Sequence, residues 1–567
     1  MTGTSRSAHE WREPVETGDW RFLLPRDAAG GLLWIGPAGR EVPRDLAESM
    51  QVTRLAGADE SPGGDPCDLI AAVAPPGSPI RAGRRWLARD LARLTTRLRP
   101  GGQLYLEVDR PAAFVRPRHV RRLLEQFGYR DVRLYWPVRG FARPDLFLPL
   151  SDRRLQRYYI DRLLWRGSIV RRLLRAVLRI LVRLGVFDAA VPWYIAVGRL
   201  EHLEQADDAA AAGMLEAVRA AWPVLVGGGP PPTRIEWLMQ PAGTARDGKL
   251  ICTTWVGDES APAAVVKFSR TPHSDAGVHA EHHALRLVRQ HVGHPTIRVP
   301  RPLGWAVIAG REVAAETPVP GGPLVAYLDE RPRSVATMAP LWVPWVEWLT
   351  DVHARSSRPA SRTNLEALLF DPMDHVVGEL ALGPVESDAL HRLRDRAEEL
   401  VARHPLAVVV AHHDLGPSNV FVSEAGRPTG VIDWESSGPG LPATDLLYFI
   451  GRLADAIASG RHPVRGWDFR TLFLDASTTA SGEAARTARR WLQVYCSRLG
   501  LSPEWLPILF ASCWIMHARN EGRKFRAEAP RMYGQDGFFR RRLRVSLEES
   551  DHLAFDGYLG LDPGAGG

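Results

Sequence analysis

The sequence predicts two domains in tandem: an α/β domain over residues 1–204 and an α+β domain of two lobes over 226–567, joined by a helical connector over 205–225. Three observations predict this. Strand-like runs alternate with helical ones from Gly30 to Gly198, the pattern of a mostly parallel sheet covered by helices. From Val408 to Trp434 a polar loop of fixed spacing sits among β-branched runs, a loop-and-hairpin unit of a different kind. The length of 567 residues also exceeds what one hydrophobic core usually holds.

In the first domain, Gly30-Gly31-Leu32-Leu33-Trp34-Ile35 reads as a buried strand entering the turn Gly36-Pro37-Ala38-Gly39. A second such strand runs over 68–73. A helix from about Gly83 to Leu98 leads through the turn Arg99-Pro100-Gly101-Gly102 into a strand over 103–108. Another helix, near 120–127, precedes strands over 132–136 and 193–198. Between these last two lies an Arg- and Leu-rich insert, about 151–186, in which Arg171, Arg175, Arg179 and Arg183 repeat every four residues. The repeat places them on one helical face with Leu and Val opposite, which suits an anionic membrane surface or an acidic partner. It equally suits a helix that packs its Leu face on the sheet and solvates its Arg face. Arg interrupts the apolar run too often for a transmembrane span.

In the second domain, Val408-Val409-Val410-Ala411 leads into His412-His413-Asp414-Leu415-Gly416-Pro417-Ser418-Asn419. Val420-Phe421-Val422 leaves that loop, Glu424 to Pro428 turns, and Gly430-Val431-Ile432 returns to Asp433. Such a hairpin brings Asn419 and Asp433 together, two oxygen ligands suited to Mg²⁺ on a phosphate chain. Asp414 is placed to accept a proton from a substrate hydroxyl. This is equipment for phosphoryl transfer.

The motif His412-x-Asp414-x4-Asn419, followed by Ile432-Asp433-Trp434-Glu435, resembles the small-molecule kinases of the aminoglycoside phosphotransferase and choline kinase group. His413 stands where the related protein kinases have Arg, and Trp434-Glu435 where they usually have Phe-Gly. Both differences favour a small-molecule acceptor. The resemblance implies an α+β bilobal, protein-kinase-like fold with an N-lobe over about 226–316 and a C-lobe over about 324–567. It also implies ATP and Mg²⁺ as cofactors, and an acceptor hydroxyl on a sugar, aminoglycoside or amino alcohol.

The chain has 72 basic side chains but only three lysines, Lys249, Lys267 and Lys524. Ala264-Val265-Val266-Lys267-Phe268 resembles the kinase strand whose Lys reaches the nucleotide phosphates. Glu281, on a helix expected over about 276–292, is its natural partner. Adenine is expected to meet the hinge backbone at Thr317 and Val319, ahead of Pro320-Gly321-Gly322-Pro323-Leu324. The turn from Met239 to Gly248, with Gly243 and Gly248, is the candidate phosphate-covering loop. His412 and Asp445 are expected to brace the catalytic loop.

In the first domain, the helix, the Arg-Pro-Gly-Gly turn and the strand after it resemble class I S-adenosylmethionine-dependent methyltransferases, which implies a Rossmann-like fold. S-adenosylmethionine itself is not favoured. Gly36-Pro37-Ala38-Gly39 is a short, proline-stiffened cofactor loop, and only Asp59 or Glu60 would supply the acidic residue expected before Asp68. A degenerate, non-catalytic module is preferred. Two other functions fit the sequence: a kinase-like scaffold at a membrane-associated assembly, and a methyltransferase with an accessory kinase-like half.

A net charge of +7 and a pI near 9.4 suit phosphates or anionic surfaces. No nucleic-acid-reading motif stands out, so no nucleic acid partner is expected. Cys67, Cys252, Cys496 and Cys513 have no ligand spacing, which points to a reducing compartment. With no signal-peptide core in the first twelve residues, a cytoplasmic location is expected, with membrane-peripheral contact as an option through the Arg-rich insert.

Overall fold

The computed structural model describes residues 18–24, 30–36, 40–55, 65–73, 84–109, 116–141, 144–164, 169–201, 213–242, 248–270, 275–293, 297–328, 335–459, 469–473, 483–528 and 537–548. It forms two compact units. One comprises the described residues of 12–282 and 302–318, the other those of 283–301 and 319–567.

The first unit is built on twelve strands: β1 (Gly31–Ile35), β2 (Gln51–Leu55), β3 (Cys67–Ala72), β4 (Leu98–Asp109), β5 (Tyr129–Val138), β6 (Leu146–Pro149), β7 (Trp193–Leu200), β8 (Ile235–Ala242), β9 (Lys249–Val256), β10 (Ala264–Ser269), β11 (Pro302–Ile308) and β12 (Arg311–Glu316). They make one sheet in the order β11-β12-β10-β9-β8-β6-β5-β7-β4-β3-β1-β2. β2, β1, β3 and β4 run parallel, and β7 lies antiparallel between β4 and β5. β8 to β12 pair antiparallel. The two halves are joined where β6 meets β8, with Phe147 opposite Met239.

Successive side chains of a strand point to opposite faces, so each strand feeds two cores. Trp34, Leu69, Tyr105 and Ile195 fall in one core; Leu33, Ile70, Leu104 and Tyr194 fall in the other. The first core runs on without a break into Trp237, Cys252, Val266 and Phe268. In the connector the described helices are Met214–Ala220 and Trp222–Val226, whose Val218, Trp222 and Leu225 are buried in that same core.

Two helices match the spacing, at Arg84–Thr95 and Pro117–Gln126. The expected Arg99–Gly102 turn is instead part of β4, which absorbs it by a register shift opposite Cys67 and Leu69, with Gly101 at φ 81°. Glycine supplies that positive φ without a Cβ clash. Pro37, Ala38, Gly39, Asp59 and Glu60 lie outside the described residues.

The insert contains the helix Arg153–Tyr158, a π-turn at Tyr159–Leu163 and the helix Ile169–Leu184. Its arginines do not share one solvated face. Arg175 is 6% exposed and donates to the Asp161 carbonyl, whereas Arg179 reaches the Asp161 carboxylate from a half-exposed position. The Arg171 side chain lies outside the described residues. A four-residue repeat advances about 40° per step on a helix of 3.6 residues per turn, so the row spirals from the packed side towards solvent. The Leu face is not packed either. Leu178 and Val182 are buried, but Leu173, Leu174, Val177, Ile180 and Leu184 are exposed.

The second unit is mainly helical, with Val335–Ser356, Pro384–Arg403, Thr444–Ser459, Glu483–Leu499 and Leu506–Glu528 as its long helices. Six short strands follow in sequence: β13 (Gly322–Pro323), β14 (Arg358–Pro359), β15 (Ala407–Ala411), β16 (Val420–Val422), β17 (Pro428–Val431) and β18 (Gly438–Gly440). They form two three-stranded sheets, β13-β16-β17 and β14-β15-β18. Trp345, Trp505 and Trp514 are buried in its core. No single helix among the described residues is long and apolar enough to cross a membrane.

Candidate active site

In the second unit the site grows out of β15. This strand pairs with β18 and ends at Ala411, and the chain then turns sharply, with His413 at φ 63°. A left-handed His is uncommon and costs energy, and such strain tends to collect at working sites. β16 and β17 pair so that Val420 faces Val431, and the Ile432 amide donates to the Asn419 carbonyl at 3.0 Å. The hairpin therefore sets Asn419 beside Ile432, the residue preceding Asp433. Asp433 is also left-handed, at φ 67°.

Asp414 is fixed from two directions. Tyr448 donates its hydroxyl to Asp414 Oδ1 at 3.0 Å, and Asn419 Nδ2 donates to Asp414 Oδ2 at 3.3 Å and to its carbonyl at 2.8 Å. Burial raises the Asp414 pKa above the ordinary carboxylate value; His412 opposes this, the Asp433 charge adds to it, and the Tyr448 hydrogen bond opposes it. A carboxylate so raised is a better proton acceptor. Because the Asn419 amide nitrogen is committed to Asp414, its oxygen remains available as a ligand. Amide and carboxylate oxygens are the hard donors Mg²⁺ requires, so Asn419 and Asp433 fit that ion chemically.

His412 braces the loop through both ring nitrogens. Nδ1 accepts from the Asp414 amide at 3.3 Å, leaving Nε2 to donate to the Ile432 carbonyl at 2.9 Å. The ring also packs on Trp434 at 4.5 Å. Asp445, 2% exposed, receives the amides of His412 at 2.6 Å and His413 at 2.9 Å. Behind it, the Tyr495 hydroxyl accepts from the Ala443 amide at 2.8 Å and meets His353 Nδ1 at 2.6 Å, so Nε2 of His353 carries its hydrogen towards Asp445 at 3.4 Å. Burial pushes the Asp445 pKa up, but the hydrogen bond and charge of His353 outweigh it and hold this carboxyl well below the usual range.

In the first unit Lys267, on β10, is 4% exposed and lies 2.5 Å from Glu281 Oε1 and 2.9 Å from Glu316 Oε1. Glu281 stands on the helix Asp275–Val288 and also meets Lys249 at 2.9 Å. Two of the three lysines thus share one carboxylate, and Lys249 and Glu316 complete a cluster in which only Lys267 and Glu281 were singled out beforehand. Burial pushes Glu316 up to about 7, Lys267 opposing and Glu281 adding to the shift. Thr317 is half-buried in this unit, and Val319 is half-buried in the other, its Cγ1 2.4 Å from where a Cβ on Gly430 would stand. Of the candidate phosphate-covering loop, residues 243–247 lie outside the described residues.

A cavity of about 170 Å³ opens beside the catalytic loop, lined in part by His413, Leu441, Cys513, Met516, Arg519 and Arg523. The π-turn Glu366–Phe370 supplies another wall through Ala367 and Leu368. Among the described residues that line it there is no carboxylate. Arg519 is held bidentate by Glu379 at 2.5 and 2.9 Å, while Arg523 is 62% exposed and 3.6 Å from the same carboxylate.

A buried Asp on a loop, an Asn and an Asp at the two ends of the adjoining hairpin, and a buried strand Lys paired with a helix Glu are residue types that phosphoryl transfer uses. Residues 252–491 match the family described as phosphotransferase enzyme family (APH), so the C-terminal part of this chain carries an APH-family, kinase-like phosphotransferase domain. Among solved structures, an aminoglycoside-3'-phosphotransferase of type VIII is 18% identical, covering 49% of this chain and 93% of that one at a TM-score of 0.31. An ADP-bound aminoglycoside phosphotransferase APH(2'')-Ib is 11% identical, covering 56% and 92% at 0.30. An ethanolamine kinase from Plasmodium vivax is 13% identical, covering 57% and 84% at 0.30. No curated protein shows significant similarity to the chain.

Proposed function

We propose that the C-terminal part transfers the γ-phosphate of ATP to a hydroxyl of a small molecule. The observation that carries this reading is the Asp414 carboxylate, raised in pKa and oriented by Tyr448 and Asn419. In this reading Asp414 takes the hydroxyl proton as the oxygen attacks phosphorus, and Lys267, positioned by Glu281, steadies the phosphates. Asn419 and Asp433 would hold Mg²⁺, which neutralises charge on the transferring group. Backbone at Thr317 and Val319 would receive the adenine.

The acceptor is a neutral or anionic hydroxyl compound, such as a sugar, rather than a polycationic aminoglycoside. Support comes from the cavity beside His413, whose charged lining among the described residues is Arg519 and Arg523, with Glu379 paired to both and Asp371 acting on Arg519 from further off. An aminoglycoside would bring several ammonium groups against that wall, and like charges repel most where water is scarce.

The test is Asp414→Asn. Turnover should fall by about 10²–10⁴-fold, the usual weight of a positioned general base, while ATP still shifts the melting temperature. Turnover near the wild-type rate would remove Asp414 from the chemistry. In a competition among acceptors, a preference for aminoglycosides over neutral sugars would overturn the acceptor assignment alone.

We read the N-terminal part as a Rossmann-like module resembling methyltransferases. The parallel order β2-β1-β3-β4, with a helix between β3 and β4, supports it. Arg40, just past the Gly36 turn, is tied to buried Glu107 at 2.5 Å, and Tyr105 donates to the same carboxylate at 2.8 Å. These contacts favour a degenerate module, and addition of S-adenosylmethionine should leave the melting temperature unmoved.

A further inference from the structure

We infer that the helix Ile169–Leu184 is a docking surface for an anionic lipid membrane, lying flat on it. Five of its large apolar side chains face solvent: Leu173 is 62% exposed, Leu174 47%, Val177 50%, Ile180 52% and Leu184 68%. The other seven large apolar side chains with comparable exposure among the described residues each sit on a different element. A cluster of this kind marks an interaction surface, whereas scattered exposed apolar residues do not.

The helical wheel shows why the stripe is outward. At 100° per residue, Leu173, Val177, Ile180 and Leu184 fall within an arc of roughly 60°. Leu178 and Val182, buried in the same core as Leu155, Tyr159 and Phe187, lie roughly 130–170° round from it. The fold therefore secures this helix by its far side and leaves the stripe uncovered.

Charge selects the occupant. Arg172 and Arg183 sit roughly 90–110° from the stripe on one shoulder, where their heads would reach lipid headgroups as the stripe enters the acyl boundary. Between residues 153 and 184 the chain carries ten Arg and a single acid, Asp161. An apolar stripe flanked by Arg, on a helix too charged to span, is the make-up of an interfacial helix. An acidic protein would meet the arginines but would gain less from five bare aliphatic side chains.

The experiment is vesicle co-sedimentation of the full chain. Binding should be strong to vesicles containing phosphatidylglycerol and weak to phosphatidylcholine alone. It should fall by about fivefold for each of Arg172→Glu and Arg183→Glu, as expected for a basic residue near an anionic surface. Leu173→Glu with Ile180→Glu should abolish it, and because both positions are exposed the melting temperature should stay unchanged. Equal binding to both vesicle types, or undiminished binding by the double variant, would overturn the inference. So would a wild-type dimer that the double variant dissociates, since a second copy would then cover the stripe.

Discussion

Tyr448 touches the Asp414 carboxyl directly, through one of its two oxygens. Its hydroxyl hydrogen bond lowers the pKa of a carboxylate that burial has raised. Tyr448→Phe should therefore raise that pKa further and move the acid limb of the kcat/KM profile to higher pH; an unmoved limb would separate Tyr448 from the chemistry. His517 stacks on Tyr448 at 3.8 Å, and burial brings its pKa down to about 3. The folded state then binds fewer protons than the unfolded state between about pH 3 and the ordinary histidine value of 6.5. Stability should rise with pH across that window and level off above it, and His517→Phe should flatten the rise in urea melts. Lys249 is held by Glu281, so Lys249→Met should destabilise the fold by about 2 kcal/mol or more, measured by chemical denaturation. Asp414, Asn419, Asp433 and Lys267 stood out in the sequence because phosphoryl-transfer chemistry would demand those residue types at such spacings, and Lys267 is seen paired with Glu281. Tyr448, His353 and His517 did not, since an aromatic or imidazole ring at a helical core position looks the same whether it packs or orients a neighbour.

At the scale of elements, the catalytic loop depends on the helix Thr444–Ser459, which presents Asp445 to the amides of His412 and His413. Asp445→Ala would strand two buried donors, at a cost of roughly 3 kcal/mol. The expected result is a lower melting temperature together with a loss of turnover, because the loop carrying Asp414 would relax. Strands such as β3 and β10 could be read from their apolar runs. β6 could not, because Leu146-Phe147-Leu148-Pro149 is too short to show a period and ends in proline. The Ile169–Leu184 helix was legible as a helix, but its orientation was not. Four-residue spacing reports neighbours along a row, and which row turns inward is decided by the burial of Leu178 and Val182 in the core that also holds Tyr159 and Phe187.

On the scale of the whole molecule, the sequence read two successive regions where the structure has a single twelve-stranded sheet from β2 to β11. Nothing in the chain near Phe147 or Met239 signals their pairing, because a contact between residues so far apart is a product of packing and leaves no local pattern. That junction bears on any attempt to isolate the catalytic half. Deleting the first two hundred residues would strip β6 from β8, baring unpaired backbone groups along a strand whose Trp237, Leu238 and Met239 are all buried. Exposed strand edges of this kind recruit other chains. A shortened protein starting near residue 226 should accumulate as insoluble aggregates, so the N-terminal half would serve the kinase as a permanent edge protector whether or not it binds anything of its own.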